Sequence, residues 1–469
     1  MMLRLYDRLK DEVSVVETRD PGVLTAYVCG PTVYGRIHVG NARPYWFSLV
    51  LKRFCEQRLG LQVRLAINIT DINDSIYRAA GEQGIPSLQL AREMTDAYLA
   101  DTDELGLGRP DVEPLATETL PEIIDLIERL IAAGAAYESD GDVYFGVATF
   151  PSYGLLSGQR PDELLAGARV EPGERKRSPL DFALWKATKP DEDTSWPSPW
   201  GDGRPGWHIE CSAMAELHLG LGFDVHGGGL DLVFPHHENE RAQTEACGCG
   251  VLARRWLHNG MLRLQDAKMS KSKGNVERLH DALERLGGPE TLLMFFAAAH
   301  YRSPVDYSDD ALDQARASAR GLREALRGAR RALEGAAEGS DAAFRELSRG
   351  AVAAFDQRMA DDLDTPRALA VLHGLAGAIN SNVASPAPDR VALQAALDAL
   401  LTCLDVLGLS SLGVEQDVPP QVLELADARE QARRERDFAE SDRLRDEIAS
   451  LGFVVRDTAS GPQVVSADA

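Results

Sequence analysis

A strand, a helix and a second strand follow one another closely near the start of the chain, and this order limits the folds open to it. Residues 24–28 form a short apolar run that Gly30 and Pro31 interrupt, and a helical pattern then continues through Phe54. Apolar residues alternate with polar ones over 61–69, which is the period of a β-strand. This order is typical of a crossover between parallel strands. We therefore predict an α/β protein with a Rossmann-like parallel sheet.

The remaining sequence predicts further domains. A helical segment, a hairpin signal at Asp140-Gly141 and a loop rich in Trp, Pro and Gly break the alternation, which resumes near residue 207. We interpret this block as an insertion between two halves of one sheet. Beyond about 310 the chain is rich in Ala, Leu and Arg and has an amphipathic helical pattern. We predict a first catalytic half, an inserted connective block, a second catalytic half, an α-helical bundle and a small C-terminal module at 1–115, 116–200, 201–310, 311–410 and 411–469.

Composition excludes several other classes of protein. The chain has 469 residues, 44% of them apolar and 26% charged, as in globular proteins. No uncharged apolar run is long enough to span a bilayer, and charges interrupt the first ten residues where a secretion signal would lie. We therefore expect a cytoplasmic protein without membrane contact. The net charge of −23 argues against binding nucleic acid over the whole surface, although a local basic face is compatible with it.

Two short motifs predict a site for the phosphates of a nucleotide. The tetrapeptide His38-Val-Gly-Asn41 lies between the predicted strand and helix, where a glycine lets a phosphate approach and the helix N-terminus supplies free N–H groups. Alone, this motif is equally compatible with an ordinary turn. The segment Lys268-Met-Ser-Lys271-Ser-Lys-Gly-Asn275 predicts a mobile cationic loop that closes over a polyphosphate. For the lysines alone, a solvated surface loop would be the simpler interpretation.

Together the two motifs resemble the H-x-G-H and K-M-S-K-S signatures of class I aminoacyl-tRNA synthetases, which flank an inserted block in the same order. The second signature is complete, and the first ends in Asn41, which can still donate a hydrogen bond. Three longer segments make nearly the whole chain similar to the cysteinyl-tRNA synthetase family. They read Tyr-Val-Cys-Gly-Pro-Thr-Val-Tyr at 27–34, Gly-Trp-His-Ile-Glu-Cys-Ser-Ala-Met at 206–214 and Phe-Pro-His-His-Glu-Asn-Glu at 234–240.

The resemblance implies one zinc ion per chain at the floor of the amino-acid pocket. Its ligands would be Cys29, Cys211, His236 and Glu240. Two thiolates, an imidazole and a carboxylate suit zinc, and residues four apart on a helix share one face. Any one of these cysteines could instead be a small buried apolar residue, and we favour that interpretation for Cys55 and Cys403.

Other residues near these motifs have weaker claims as ligands. Cys247 and Cys249 are separated by one residue, which is a poor spacing for a metal pair. We expect nearby polar residues to be hydrogen-bond partners of the ligands instead. These are His208, His226, His237 and Glu238.

The resemblance also implies a two-step reaction. L-cysteine and ATP, accompanied by Mg²⁺, would form cysteinyl-adenylate, and the cysteinyl group would then pass to the terminal ribose of tRNA(Cys). The implied catalytic residues are His38, Lys268 and Lys271. The implied ATP contacts are His38, Gly40, Asn41, Asp231 and Lys271, and the implied amino-acid contacts are Cys29, Thr70 and Trp207. Alternatively, Trp207 is a packed core aromatic and Asp231 caps a helix.

Zinc would hold the substrate as a thiolate, which an alcohol cannot match at neutral pH. Cysteine and serine differ only in having sulfur or oxygen, and an apolar pocket discriminates weakly between two side chains of such similar shape. We therefore predict that serine is rejected at the binding step, without an editing domain.

The C-terminal third is the predicted tRNA-binding part of an enzyme that we expect to be a monomer. Five arginines at helical spacing could contact phosphates, or could form a solvated face beside a packed seam. They are Arg316, Arg320, Arg323, Arg327 and Arg330. The charged stretch 429–446 predicts a helix and resembles the anticodon-binding module of the family. The Trp that often follows Asp-Thr-x-x-Gly in the family is absent here, where Pro462, Gln463 and Val464 follow Gly461.

Three other functions remain open at this point. A ligase that joins cysteine to an amino sugar would keep the zinc and ATP motifs without needing a tRNA-binding tail. A nucleotidyltransferase for a small acid would explain neither the zinc ligands nor the tail. A non-catalytic RNA-binding protein would not require the lysines at 268 and 271.

Overall fold

A computed structural model describes most of the chain. Outside the described residues lie 161–174, 191, 249, 265–266, 269–275, 340, 387, 415–418, 459–460 and 467–469. The chain forms two compact units, the first made of Met1–Leu312, Ala354–Leu369 and Val406–Gly408, and the second of Asp313–Ala353, Ala370–Asp405 and Leu409–Ala469. None of the helices among the described residues has the length and apolar character needed to cross a bilayer.

Four parallel strands form the central sheet of the first unit. Their order across the sheet is Trp256–Asn259, Val225–Gly229, Val23–Val28 and Gln62–Ile67. The apolar strand Val23–Val28 lies inside the sheet and is almost wholly buried, as expected for a parallel strand covered on both faces. The predicted Rossmann-like sheet is therefore confirmed, and its strands come from both sides of the inserted block.

The helix Val39–Leu59 connects the first two parallel strands. It begins after His38, whose backbone is extended, and ends at Gly60, which has the left-handed φ of 67° that favours glycine at a helix C-terminus. The helix continues past the predicted end at Phe54. Its Arg43 side chain is buried and donates to the carbonyl oxygens of Gly260 and Ser303 at 2.7 and 2.8 Å. These bonds hold the helix against the chain that follows the edge strand of the sheet.

An antiparallel sheet lies in the inserted block and extends past the predicted end of this block at residue 200. Its strands are Ala136–Ser139, Asp142–Phe145, Phe182–Ala187 and Gly203–Pro205. The predicted hairpin turn is present, with a positive φ at both Asp140 and Gly141. The amphipathic helix Leu120–Ala132 buries Ile123, Leu126, Ile127 and Leu130 in a core shared with this sheet.

Further elements complete the part of the chain before residue 310. The strands are Arg4–Asp7, Glu12–Val15, Leu262–Leu264, Ala267–Lys268 and Val305–Asp306. The helices are Asp74–Gln83, Ser87–Asp103, Trp207–Leu219, Glu238–Ala246, Leu279–Leu286 and Glu290–Ala297.

The C-terminal part is largely helical. Four helices are Asp309–Gly335, Ala342–Ala360, Thr365–Val383 and Arg390–Val406. Along the first of these, Leu312, Leu322 and Leu326 are buried, and the five arginines are half-buried beside this apolar seam. This placement fits the packed seam that the sequence predicts and leaves tRNA contact by the arginines as a prediction.

The C-terminal module contains two helices and a strand pair. They are Pro420–Arg434, Phe438–Ser450, Phe453–Thr458 and Gly461–Ser466. The prediction of one helix over 429–446 is wrong, because Arg436 has a φ of 64° and Asp437 begins a new helix. The Asp437 side chain accepts a hydrogen bond from the Glu440 N–H at 3.1 Å, which stabilises that start.

Candidate active site and metal centre

A cavity of about 290 Å³ opens at the carboxyl ends of the parallel strands. One wall comes from the end of the strand Val23–Val28 and the residues after it, and another from the N-terminus of the helix Val39–Leu59. Residues from three predicted motifs line it, together with Asp231: Cys29, Gly30, Thr32, Tyr34, His38, Gly40, Asn41 and Trp207. The topology of the sheet therefore brings distant motifs to one site.

The close approach of two strand ends at this cavity requires a glycine. A Cβ atom at Gly30 would lie 1.7 Å from the carbonyl oxygen of Asn68. The Gly30 N–H instead donates to the Asn68 side-chain oxygen at 3.0 Å. Gly30 therefore lets the chain turn away directly after Cys29.

Cys29, Cys211, His236 and Glu240 form a buried cluster beside the cavity. Their candidate ligand atoms all lie within 4.8 Å of one another. The Cys29 Sγ is 3.4 Å from both the His236 Nε2 and the Glu240 Oε1, and these last two atoms are 3.1 Å apart. Zinc ligands in a tetrahedron lie about 3.3–3.8 Å apart. The donor set and its spacing therefore fit zinc.

Different elements position the four side chains. Cys29 follows a strand of the central sheet, Cys211 lies in the helix Trp207–Leu219, and Glu240 lies in the first turn of the helix Glu238–Ala246. His236 belongs to the single wide turn Val233–His237 that precedes this last helix. The predicted four-residue spacing thus brings His236 and Glu240 together across the junction of two helical segments.

Neighbouring histidines orient the cluster. The His226 Nε2 is 2.8 Å from the Glu240 Oε2, so Glu240 keeps its other oxygen towards Cys29 and His236. The His208 Nδ1 is 2.8 Å from the His236 Nδ1, and burial lowers the pKa of both rings to about 3. If His236 donates through Nδ1, its Nε2 lone pair faces the cluster, which is the form that binds a metal.

A second grouping of ligand atoms is possible among the described residues. It contains Cys29, His226, His237 and Glu240. The His237 Nε2 lies 4.0 Å from the Glu240 Oε1, and its Nδ1 is 2.8 Å from the His258 Nε2. The first grouping fits zinc better because it offers two thiolates, whereas the second offers one.

The expected hydrogen-bond partners of the ligands are only partly present. His208 and His226 contact ligands directly, whereas Glu238 accepts from the Ser157 backbone N–H at 2.8 Å. Sequence reasoning missed His258, which ends the short apolar run Trp256-Leu257. The signal that could have identified His258 is its position as a polar residue near the end of a strand.

The start of the helix Val39–Leu59 has an internal cap. The His38 N–H donates to the Asn41 Oδ1 at 3.2 Å, and the Asn41 N–H donates to the His38 carbonyl at 2.8 Å. The Asn41 oxygen thus stabilises the helix start, and its amide nitrogen is the atom with which Asn41 could contact a phosphate.

The predicted substrate contacts differ in their placement. Trp207 lines the cavity with its ring centroid 4.3 Å from that of His236, and Asp231 lines it from an exposed turn. Thr70 is buried behind the lining, where its hydroxyl accepts from the Asn68 amide at 3.2 Å. Thr32, which sequence reasoning did not select, pairs with Thr70 and lines the cavity.

The structure describes little of the two lysines that are predicted to be catalytic. Lys268 ends the strand Ala267–Lys268, which pairs with Leu262–Leu264, and nothing is described of its side chain. Lys271 lies outside the described residues.

Two of the remaining cysteines are buried outside the proposed ligand set. Cys55 and Cys403 are buried, and burial raises the pKa of the Cys55 thiol. The Cys247 thiol donates to the Thr244 carbonyl at 3.0 Å, and Cys249 lies outside the described residues.

The fold and the sequence of the catalytic unit define a class of enzyme. Residues 15–317 match the family model described as the class I (C) tRNA synthetase catalytic domain. The methionyl-tRNA synthetase of Mycobacterium tuberculosis, solved with methionyl-adenylate, has a similar fold (TM-score 0.60, 19% identity, 89% of this chain and 96% of that one). The LeuRS of Agrobacterium radiobacter, solved with tRNA and LeuAMS, also shares it (TM-score 0.60, 12% identity, 86% of each chain). The chain is a class I aminoacyl-tRNA synthetase.

The C-terminal matches and the curated relatives identify the particular family. Residues 354–411 match the DALR domain, and 415–464 match the cysteinyl-tRNA ligase anticodon binding domain. A cysteine–tRNA ligase from Exiguobacterium sp. is 43% identical over 98% of this chain and 99% of that protein. One from Parvibaculum lavamentivorans is 44% identical over 99% of this chain and 97% of that protein. The chain belongs to the cysteine–tRNA ligase family, as the sequence motifs predict.

Proposed function

We propose that this enzyme activates L-cysteine with ATP and transfers the cysteinyl group to tRNA(Cys), with a zinc ion selecting the substrate thiolate. The observation that carries this proposal is that the candidate metal ligands lie close to the candidate phosphate site. Cys29 of the Cys-Cys-His-Glu cluster lines the same cavity as the phosphate motif at the start of the helix Val39–Leu59. A thiol and a polyphosphate bound at these two places would be neighbours.

Cys29, Cys211, His236 and Glu240 would hold the zinc. When bound, zinc supplies a soft Lewis acid that binds a thiolate and lowers the pKa of a thiol. His226 and His208 fix the orientations of Glu240 and His236 through the 2.8 Å contacts described above. Trp207, packed on His236, would close one side of the amino-acid site.

In the first step, a carboxylate oxygen of cysteine attacks the α-phosphorus of ATP, and the bond to pyrophosphate breaks. The carboxylate is already a nucleophile, so the protein's task is to position the groups and stabilise charge. His38, Gly40 and Asn41 would hold the phosphates at the helix N-terminus, and Asp231 would bind the ribose. Lys268 and Lys271 would stabilise the charge that develops on the phosphates, with Mg²⁺ accompanying ATP.

In the second step, the terminal ribose hydroxyl of the tRNA attacks the carbonyl carbon of the adenylate. The carbon–oxygen bond to AMP breaks, the hydroxyl loses its proton, and AMP leaves. We assign tRNA binding to the helical bundle, 311–410, and anticodon binding to the module 411–469. The match of 415–464 to an anticodon-binding domain supports this assignment and disfavours the amino-sugar ligase.

The test measures the two steps separately. The expected result is cysteine-dependent exchange of pyrophosphate into ATP, followed by charging of purified tRNA(Cys), with serine inactive in both assays. Exchange without charging of tRNA would contradict the proposed acceptor and favour the amino-sugar ligase. An absence of exchange with zinc-loaded enzyme would contradict the proposed chemistry.

A further inference from the structure

We propose that Tyr27 is a positioning residue of the zinc site, and that its hydroxyl donates a hydrogen bond to the Cys211 thiolate when the metal is bound. This inference rests on the proposed function, because it concerns the zinc of that reaction. Tyr27 lies on the strand Val23–Val28, two residues before Cys29. Side chains two apart along an extended chain lie on the same face of a sheet. Tyr27 is therefore placed on the side of the sheet that carries the cluster.

The ring of Tyr27 is fixed by the core of the first unit. Tyr27 is completely buried, and it belongs to the same group of packed side chains as Cys29 and Cys211. Its ring lies edge-on to that of His226, with the ring centroids 5.4 Å apart. His226 in turn contacts the Glu240 carboxylate at 2.8 Å. The ring therefore packs within the set of residues that forms and orients the cluster.

The hydroxyl of Tyr27 is a buried polar group with no hydrogen-bond partner among the described residues. A buried hydroxyl without a partner costs free energy and is uncommon in folded proteins. Phenylalanine would fill the same space without this cost, so packing alone does not account for a tyrosine at this position. The hydroxyl is available to an acceptor that forms when the metal binds.

Cys211 supplies that acceptor. Burial raises the pKa of the Tyr27 hydroxyl well above its ordinary value. The sulfur of Cys211 raises this pKa further, and Cys29 and Glu240 add smaller effects in the same direction. These effects show that the hydroxyl lies near the ligand atoms of the cluster. It also keeps its proton at neutral pH, so it acts as a donor.

Metal binding reverses the hydrogen-bonding role of Cys211. Its thiol donates to the side-chain oxygen of Asn68 at 3.7 Å, and the same oxygen accepts from the Gly30 N–H at 3.0 Å. Zinc is bound by a thiolate, which has no proton to donate and accepts hydrogen bonds instead. Asn68 presents an oxygen to Cys211 and so cannot donate to it. The Tyr27 hydroxyl can, and hydrogen bonds to charged acceptors are the stronger ones.

The charge of the zinc-bound site gives this hydrogen bond a function. The two thiolates and one carboxylate of the ligand set exceed the charge of Zn²⁺ by one, and the substrate thiolate adds a further negative charge. Negative charge in a buried site needs hydrogen-bond donors to stabilise it. A hydrogen bond from Tyr27 would therefore stabilise the cysteine-bound site more than the site before cysteine binds.

The first experiment measures metal affinity with a competing chelator. Tyr27→Phe keeps the ring and removes the hydroxyl, and its Kd for zinc should rise about 10-fold or more. The control is Tyr98→Phe, which also removes a buried hydroxyl without a partner among the described residues. Tyr98 lies in the helix Ser87–Asp103, outside the ligand set, so this variant should keep the native Kd for zinc.

The second experiment replaces zinc by Co²⁺ and records the sulfur-to-cobalt charge-transfer band. A thiolate that loses a hydrogen bond gives up electron density more readily, so the band should move to lower energy in Tyr27→Phe. Titration of the cobalt enzyme with L-cysteine should give a higher Kd for cysteine in this variant. Tyr98→Phe should leave the band where it is in the native enzyme.

Several outcomes would overturn the inference. One is a native Kd for zinc in Tyr27→Phe. Another is a charge-transfer band that does not move, even if zinc affinity falls, because a change in packing alone would weaken binding without removing a donor from the sulfur. Without added metal, the Tm of Tyr27→Phe should equal or exceed that of the native enzyme. A lower Tm would mean that the hydroxyl already has a partner, which also contradicts the inference.

Failure of the proposed function would be distinguishable from these outcomes. A native enzyme that takes up neither Zn²⁺ nor Co²⁺ would contradict the zinc chemistry of the proposed function itself. A native enzyme that binds both metals while Tyr27→Phe behaves in the same way would contradict only the role of Tyr27.

Discussion

At the scale of single residues, surroundings decide what a cysteine does. Cys211 lies within 4.8 Å of another thiol, an imidazole and a carboxylate, whereas Cys55 and Cys403 are also buried but belong to no such group among the described residues. A buried thiol is by itself a small apolar group. Only the convergence of several ligands distinguishes a metal site.

Substitution of Cys211 tests that distinction. Cys211→Ser should lose zinc and affinity for cysteine together, because a hydroxyl is a much poorer ligand for zinc than a thiolate. Metal content and the cysteine KM in the exchange assay measure the two effects. Cys403→Ser, also buried, is the control and should keep full zinc content. Stoichiometric, tightly held zinc in Cys211→Ser would remove this residue from the ligand set.

Arg43 is a buried cation whose role is to join distant parts of the first unit. Its guanidinium donates to the carbonyls of Gly260, Ser303 and His300 at 2.7–3.0 Å. Arg43→Leu should lower the free energy of unfolding by about 3 kcal/mol, since buried carbonyls would lose charged donors. Arg4→Leu, which removes a largely exposed ion pair with Asp361, should cost less than about 1 kcal/mol. Urea titration measures both, and equal effects would contradict the structural role of Arg43.

These residues also show what the sequence can predict about the site. Cys29, Cys211, His236 and Glu240 lie in contiguous motifs, so each could be selected before the fold was known. Arg43 and its partner Gly260 are 217 positions apart, and nothing in the local pattern links them. Thr70 was selected from the family resemblance as an amino-acid contact. Its side chain instead accepts a hydrogen bond from Asn68, and Thr32 lines the cavity.

At the scale of elements, a charge network joins the inserted block to the first half of the sheet. Asp74 lies at the start of the helix Asp74–Gln83, and its partners Lys186 and Arg204 lie on strands of the insertion. Arg204 also pairs with the buried Glu192 at 2.7 Å. Asp74 and Lys186 of this network line a cavity of about 800 Å³.

The lowered pKa of Asp74 gives this network a defined pH dependence. Asp74→Asn should be less stable than the native enzyme by about 1 kcal/mol at neutral pH, because Asp74 is partly exposed. The difference should be complete above the ordinary aspartate pKa of about 3.9 and disappear as the pH falls through the lowered pKa. Urea titrations across this range measure it. A difference that grows as the pH falls would contradict the assignment.

The segment 268–275 is predicted to act only in the first step. Lys271→Ala should slow adenylate formation about 100-fold or more, since a positioned cation contributes several kcal/mol in the transition state. The affinity for cysteine should remain, because the thiol site lies elsewhere. Pre-steady-state exchange and isothermal titration with cysteine measure these effects. An unchanged activation rate would refute the role of Lys271.

Elements with strong periodicity are the ones that sequence can predict. The strand–helix–strand order, the hairpin at Asp140-Gly141 and the amphipathic helix all follow from local patterns. The break at 435–437 does not, because Arg436 is a non-glycine residue in a left-handed conformation and neither Gly nor Pro marks the turn. Asp437, a good residue for a helix start, was the one local signal.

At the scale of the whole molecule, an acidic enzyme must bind a polyanion. The chain carries 73 acidic against 50 basic residues, so its overall field repels tRNA. Binding then depends on local basic surfaces, for which the structure offers two candidates. One is a cavity of about 800 Å³ lined by Lys176, Lys186 and Lys189, and the other is the half-buried arginine row of the helix Asp309–Gly335.

This balance predicts different salt dependence for the two steps. The KM for tRNA should rise at least about 10-fold between about 50 and 200 mM salt, because phosphate contacts release counterions. The KM for cysteine in the exchange assay should change little, since its thiol is bound at a buried cluster that salt screens weakly. Both constants can be measured on the same enzyme preparation. A KM for tRNA that does not change over this range would mean that few lysines or arginines contact phosphates. The five arginines would then only pack beside the apolar seam.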